Sequence, residues 1–279
     1  MAFYGPAMSS QSPSQSPSPT SSGLPAESRR LPVIGFIALV VLYLVIVQGL
    51  GLLLTRGLDT KYAAPTSVNE LWRSITVPVG LSVVLVAAVI SWLRWWRPVV
   101  HDDRPVQRWL VIVPVLMLAS VLIVTNYAGL ADRGLGFAVL LLLSTLFVGA
   151  GEELMFRGLG VTVFRSNGFT EGKVALWSTV IFGLAHASNL ISEGPGAFVQ
   201  VLVTIAAGYF FYLIRRRSGG IWLPMLVHGL WDFSLVSAGV VPGKSYPLVI
   251  VAILTMIGLV VLLLVRRHHI EPVDRPAAV

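Results

Sequence analysis

The chain has no cysteine, and only 12% of its 279 residues are charged. The missing cysteine excludes thiol nucleophiles, cysteine-ligated metals and disulfides. Soluble domains carry about 25% charged residues. With 55% hydrophobic residues and a mean hydropathy of +0.80, the scarcity of charge points to a polytopic membrane protein. Two motifs are also missing. Neither HExxH nor GxSxG occurs, which argues against the soluble-metalloprotease and nucleophile-elbow serine arrangements.

What is present begins with a Ser/Pro-rich stretch, MAFYGPAMSSQSPSQSPSPTSSGLPAES. Such a segment cannot bury enough surface to offset its ordering entropy, so residues 1–28 are expected to be a disordered tail. No basic run stands before a short apolar core there, as a signal peptide requires. Beyond it, about 20 apolar residues suffice for a helix to cross a bilayer. That rule gives about eight spans, over 32–54, 76–93, 109–128, 136–164, 174–192, 197–214, 221–241 and 246–265. The fold class is therefore all-α, a polytopic transmembrane helical bundle. Ser67 and Glu70 form an S-x-x-E capping box, which predicts a short interfacial helix carrying Leu71 and Trp72.

The formal net charge of +7 does not signal nucleic acid, because the basic residues sort by side of the membrane. Arg56, Lys61, Arg73, Arg133 and Lys244 fall on one side, and Arg157 lies within a span. The other 14 of the 20 collect on the opposite side, which the positive-inside rule makes cytoplasmic, together with both termini. These residues are expected to meet anionic headgroups, with Trp95, Trp96 and Trp109 as interfacial anchors. His101, Asp102 and Asp103 read as a solvated loop, and His268 and His269 as a headgroup-facing tail.

Few ionisable residues lie inside the spans: Glu152, Glu153, Arg157, His186, His228 and Asp232. A charge at the bilayer centre costs about 2.5–3.5 kcal/mol on insertion scales, so each needs a reason. A structural reading pairs Glu153 with Arg157 and satisfies the histidines with backbone carbonyls. The spacing favours more than that. Glu153 and Arg157, Phe182 and His186, and His228 and Asp232 are i, i+4 pairs, each on one helical face. Counted from Arg165, Lys173 and Arg217 at about 1.5 Å per residue, Glu152, His186 and His228 each lie roughly 15–20 Å from the cytoplasmic ends of their helices. Gly149 and Gly151 would allow the close helix approach this needs. Pro224 either starts or kinks the seventh span. Two carboxylates with two imidazoles can activate a water directly, or hold a zinc ion with one open position.

EELMFR (152–157), FGLAH (182–186) and HGLWD (228–232) resemble the motifs EExxxR, FxxxH and Hxxx(N/D) of the CAAX protease and bacteriocin-processing family, also called the Abi family. The resemblance covers roughly 136–241, within a protease domain of 29–267 followed by a cytoplasmic tail, 268–279. It implies an eight-span core with a cavity open to the cytosol, in a multi-pass protein of the cell membrane. It also implies that Glu152 and His186 activate water. His228 and Asp232 would stabilise the oxyanion or bind metal, and Glu153 and Arg157 would hold the site in shape. An ionised Asp232, where prenyl-protein proteases carry Asn, cannot donate a hydrogen bond. That favours a divalent cation, Zn2+ first, at His186, His228 and Asp232. The implied partners are membrane lipids and a membrane-associated or lipidated protein or leader peptide. Two other functions stay open: an immunity or regulatory scaffold, and a proton-coupled transporter that uses the carboxylates as a relay. Against the transporter, the ionisable groups share one level and no inverted repeat of broken helices is visible.

Overall fold

The computed structural model describes residues 28–58, 65–104, 106–190, 194–244 and 246–270. The loop around Lys61 and the N-terminal tail up to residue 27 lie outside these residues. Among the described residues the chain is all-helical, with no strand. Its helices are α1 (Val33–Leu54), α2 (Val68–Leu93) and the short α3 (Trp96–Val100). Then come α4 (Arg108–Val124), α5 (Tyr127–Arg133) and the long α6 (Leu135–Ser166). The last four are α7 (Glu171–Ala185), α8 (Ala197–Ser218), α9 (Trp222–Ala238) and α10 (Val249–Val265).

A helix stands at each place where an apolar span is expected. Four of them, α1, α2, α6 and α8, are long and apolar enough to cross a membrane. A fifth candidate is α4 with α5, which bend by 55° at the break between them. With Leu, Val and Ile exposed along α1, α4 and α10, this is a multi-pass membrane protein. The bend falls inside the span expected over 109–128. Thr125 caps α4 by hydrogen-bonding back to Val121, and the Asn126 side chain accepts from the Gly129 amide to start α5.

The Ser67 side chain accepts from the Glu70 amide at 3.2 Å, so the cap is real, but no separate interfacial helix follows. The Glu70 carboxylate turns back to the Thr66 amide, and α2 runs on from there through a π turn at Trp72–Thr76. Pro224 falls in the first turn of α9, where its missing N–H costs nothing, and therefore starts that helix.

The centre of the bundle is α6, which packs against α2 on one side and α9 on the other, while α7 packs on α8. The approach of α6 to α9 rests on two glycines. A Cβ on Gly149 would stand 2.4 Å from the Met225 carbonyl oxygen, and one on Gly229 would stand 2.8 Å from Leu146 Cα. Gly149 was expected on sequence grounds and Gly229 was not. Gly151 faces side chains of Val83 and Tyr43 instead of a helix backbone.

Three residues expected at the membrane surface lie inside. Asp102 is buried and accepts from Arg165 at 2.9 Å and from Arg215 at 3.1 Å, so it anchors a loop whose His101 and Asp103 are exposed as expected. Trp95 is fully buried. His269 is buried against Tyr209, whose hydroxyl lies 2.7 Å from its Nε2, so it does not face headgroups.

Candidate active site

Helix α6 changes winding where its charges begin. Residues Glu153–Gly160 form a π-helix, all of them buried. The wider turn keeps Glu153 and Arg157 one above the other, and π segments are frequent at functional sites. Nη1 of Arg157 donates to Oε1 of Glu153 at 2.9 Å, with both side chains fully buried. The expected i, i+4 ion pair is therefore present. Arg157 also lies 3.9 Å from the centroid of the Phe182 ring, a cation–π contact in a dry environment.

The same Glu153 oxygen reaches α9. Nδ1–H of His228 donates to it at 2.9 Å. The His228 ring stacks on Phe211 at 4.4 Å and meets the Phe182 edge at 5.8 Å. The other imidazole is held by its own helix. Nδ1–H of His186 donates to the Phe182 carbonyl at 3.0 Å, at the point where α7 tightens into a 3-10 turn, His186–Asn189. With both Nδ1 atoms occupied, both Nε2 atoms are left for chemistry.

They face Glu152. Its Oε2 lies 3.9 Å from Nε2 of His186 and 3.8 Å from Nε2 of His228. Those separations suit a mediated contact better than a direct hydrogen bond. Asp232 Oδ2 lies 3.5 Å from the same His228 nitrogen. The structure thus brings all six residues, Glu152, Glu153, Arg157, His186, His228 and Asp232, into one cluster. It also divides them. Glu152, His186, His228 and Asp232 line a cavity of about 370 Å³, whereas Glu153 and Arg157 stand behind it.

Among the described residues no group of three or more His, Asp or Glu side chains is disposed to hold a metal ion. His186, His228 and Asp232 share one cavity wall.

Sequence reasoning missed part of the cavity. Phe211 supports the His228 ring, and Gln48, Ser188, Asn189 and Gln200 add polar groups to the wall. An aromatic in an apolar span carries no signal. Two glutamines inside spans do, since an amide in lipid needs a partner.

These features define an all-helical membrane protein with a cluster of carboxylates and imidazoles on a cavity within the bundle. Residues 134–234 match the family model described as Rce1-like, type II CAAX prenyl endopeptidase Rce1-like. The match takes in all six residues of the cluster and bears out the resemblance seen in the three motifs. No curated protein and no solved structure matches the chain.

Proposed function

We propose that the chain is an intramembrane endopeptidase that hydrolyses a peptide bond in a membrane-associated or lipidated protein or leader peptide. One observation carries the reading: Glu152 faces the free nitrogens of two imidazoles on an otherwise largely apolar cavity. The matched family's description as an endopeptidase supports it.

In this reading Glu152, aided by His186, takes a proton from a water held at the cavity wall. The water oxygen attacks the scissile carbonyl carbon, and the oxyanion forms beside His228 and Asp232. A protonated His228 would present Nε2–H to that oxyanion, with Glu153 and Asp232 balancing its charge. The proton on Glu152 then passes to the leaving nitrogen as the C–N bond breaks. Arg157 and Glu153 touch no substrate and serve to aim His228. The basic asymmetry supports a bundle of eight crossing helices, both termini in the cytoplasm and a cavity reached from the cytosol.

The test is a comparison of membrane peptides between cells carrying the wild type and cells carrying Glu152→Ala. A cleavage product present only with the wild type is expected, and identical peptide profiles would count against the proposal. Asp232→Asn separates two routes on the purified protein. If Asp232 serves next to the oxyanion, Asn keeps turnover and zinc affinity does not change. If it is instead a ligand to zinc, Asn weakens zinc binding and turnover falls with it.

A further inference from the structure

Beyond the ionisable cluster, the same cavity wall carries a chain of carboxamides that the chemistry above does not use. Nε2 of Gln48, on α1, donates to Asn189 Oδ1 at 2.7 Å and to Ser188 Oγ at 3.1 Å. Nδ2 of Asn189 donates to Gln200 Oε1, on α8, at 2.9 Å. Ser188 and Asn189 belong to the 3-10 turn that begins at His186. All four residues line the cavity that holds Glu152, His228 and Asp232.

Amides bridging helices inside a membrane are ordinarily glue, and such a bridge is complete when every polar end is used. This one is not complete. Among the described residues, Oε1 of Gln48 and Nε2 of Gln200 have no hydrogen-bond partner. This acceptor and this donor stay open to the cavity beside Leu44, Val47 and Val203, where an arriving polar group can meet them. One acceptor and one donor, joined through Asn189 on one stretch of cavity wall, complement an extended peptide, which offers N–H and C=O groups in alternation.

We infer that Gln48, Asn189 and Gln200 form a subsite that binds the backbone of an extended substrate segment next to the scissile bond. The inference rests on the endopeptidase reading and names the ligand chemistry: a peptide backbone, recognised by its N–H and C=O groups independently of side chain. Gln48 Oε1 accepts from a substrate N–H, and Gln200 Nε2 donates to a substrate C=O. Because the subsite follows His186 in one turn, a segment bound there is drawn past Glu152.

Binding is read on the full-length protein carrying Glu152→Gln, with a farnesylated octapeptide ending Cys-Val-Ile-Met. A second probe is the same peptide N-methylated on the two residues after the cysteine. The expected result is binding of the first probe, about tenfold weaker with Gln48→Leu or Gln200→Leu added, as loss of one hydrogen bond gives. The N-methylated probe should bind weakly to all and discriminate among none. Gln200→Leu repeats the test if Gln48→Leu fails to accumulate. Equal affinity of the two probes, unchanged affinity in both Leu variants, or no binding of either probe would overturn the subsite. Cleavage by the protein with Glu152 intact is scored separately. A probe bound and discriminated but never cleaved leaves the subsite standing and counts against the protease reading. A probe cleaved normally by both Leu variants, with unchanged affinity, does the reverse.

Discussion

Two regions of this molecule bury charge, and they treat it differently. At the ends of α6 and α8, Arg215 is fully buried and each N–H is used. It donates to Asp102 and to the carbonyl oxygens of Pro98, Val99, His101 and Arg157. Glu171 accepts from Arg165, Arg216 and Tyr212 in the same network. In the middle of α6 the charges are left underpaired. Oε2 of Glu152, Oε2 of Glu153, and Nε and Nη2 of Arg157 are buried with no hydrogen-bond partner among the described residues. A saturated network specifies how helices meet. An unsaturated one keeps polar groups ready at a cost in stability, which is the mark of a site. The two are physically joined, since Arg215 holds the carbonyl of Arg157 at 2.6 Å.

The largest stability effect is expected from breaking the saturated region. Arg215→Ala leaves Asp102 with Arg165 as its hydrogen-bonded partner but takes the donor from four carbonyl oxygens at once, and removing one partner of a buried ion pair costs about 3–5 kcal/mol. The folded yield from membranes should collapse, as seen by size-exclusion chromatography in detergent. Arg157→Ala should fall at the lower end of that range, because Glu153 still has His228 as a partner. Its melting temperature should lie between those of Arg215→Ala and the wild type. The opposite order would reverse the comparison.

Acid gives a smaller and sharper probe of the same contrast. Burial acts to raise the Glu171 carboxyl, but hydrogen bonds and charge from Arg165, then Tyr212 and Arg216, hold it at about 2 against an ordinary 4.5. A depressed folded value means that this stabilisation is complete above pH 4.5 and is lost as pH falls towards 2. The melting temperature should drop across that window, and Glu171→Gln should flatten the drop. An unchanged slope would remove Glu171 from the network's account.

How much of this was legible in the sequence follows from which signals are periodic. The helices at 33–54 and 197–218 are visible because apolar runs of span length have few alternatives in lipid. The six clustered residues are visible because charge is rare in such runs. The π-helix at Glu153–Gly160 is not, since its residues pattern like an α-helix and the extra residue per turn leaves no mark. The burial of Asp102 is hidden for a different reason. Its partners Arg165 and Arg215 are distant in sequence, and arginines at span ends read as topology signals. The bend after Val124 is marked only by Thr125-Asn126, a weak cap signal inside an apolar stretch.

The central claim is that Glu152 is held for chemistry while Glu153 and Arg157 are held for shape. Turnover and melting temperature of purified Glu152→Gln, side by side with the wild type on the farnesylated octapeptide, test it most directly. The account predicts a turnover loss of at least about 10²-fold, as for a general base, with a melting temperature within about 2 °C of the wild type. Full turnover by the Gln variant, or loss of activity only in step with loss of folded protein, would contradict it.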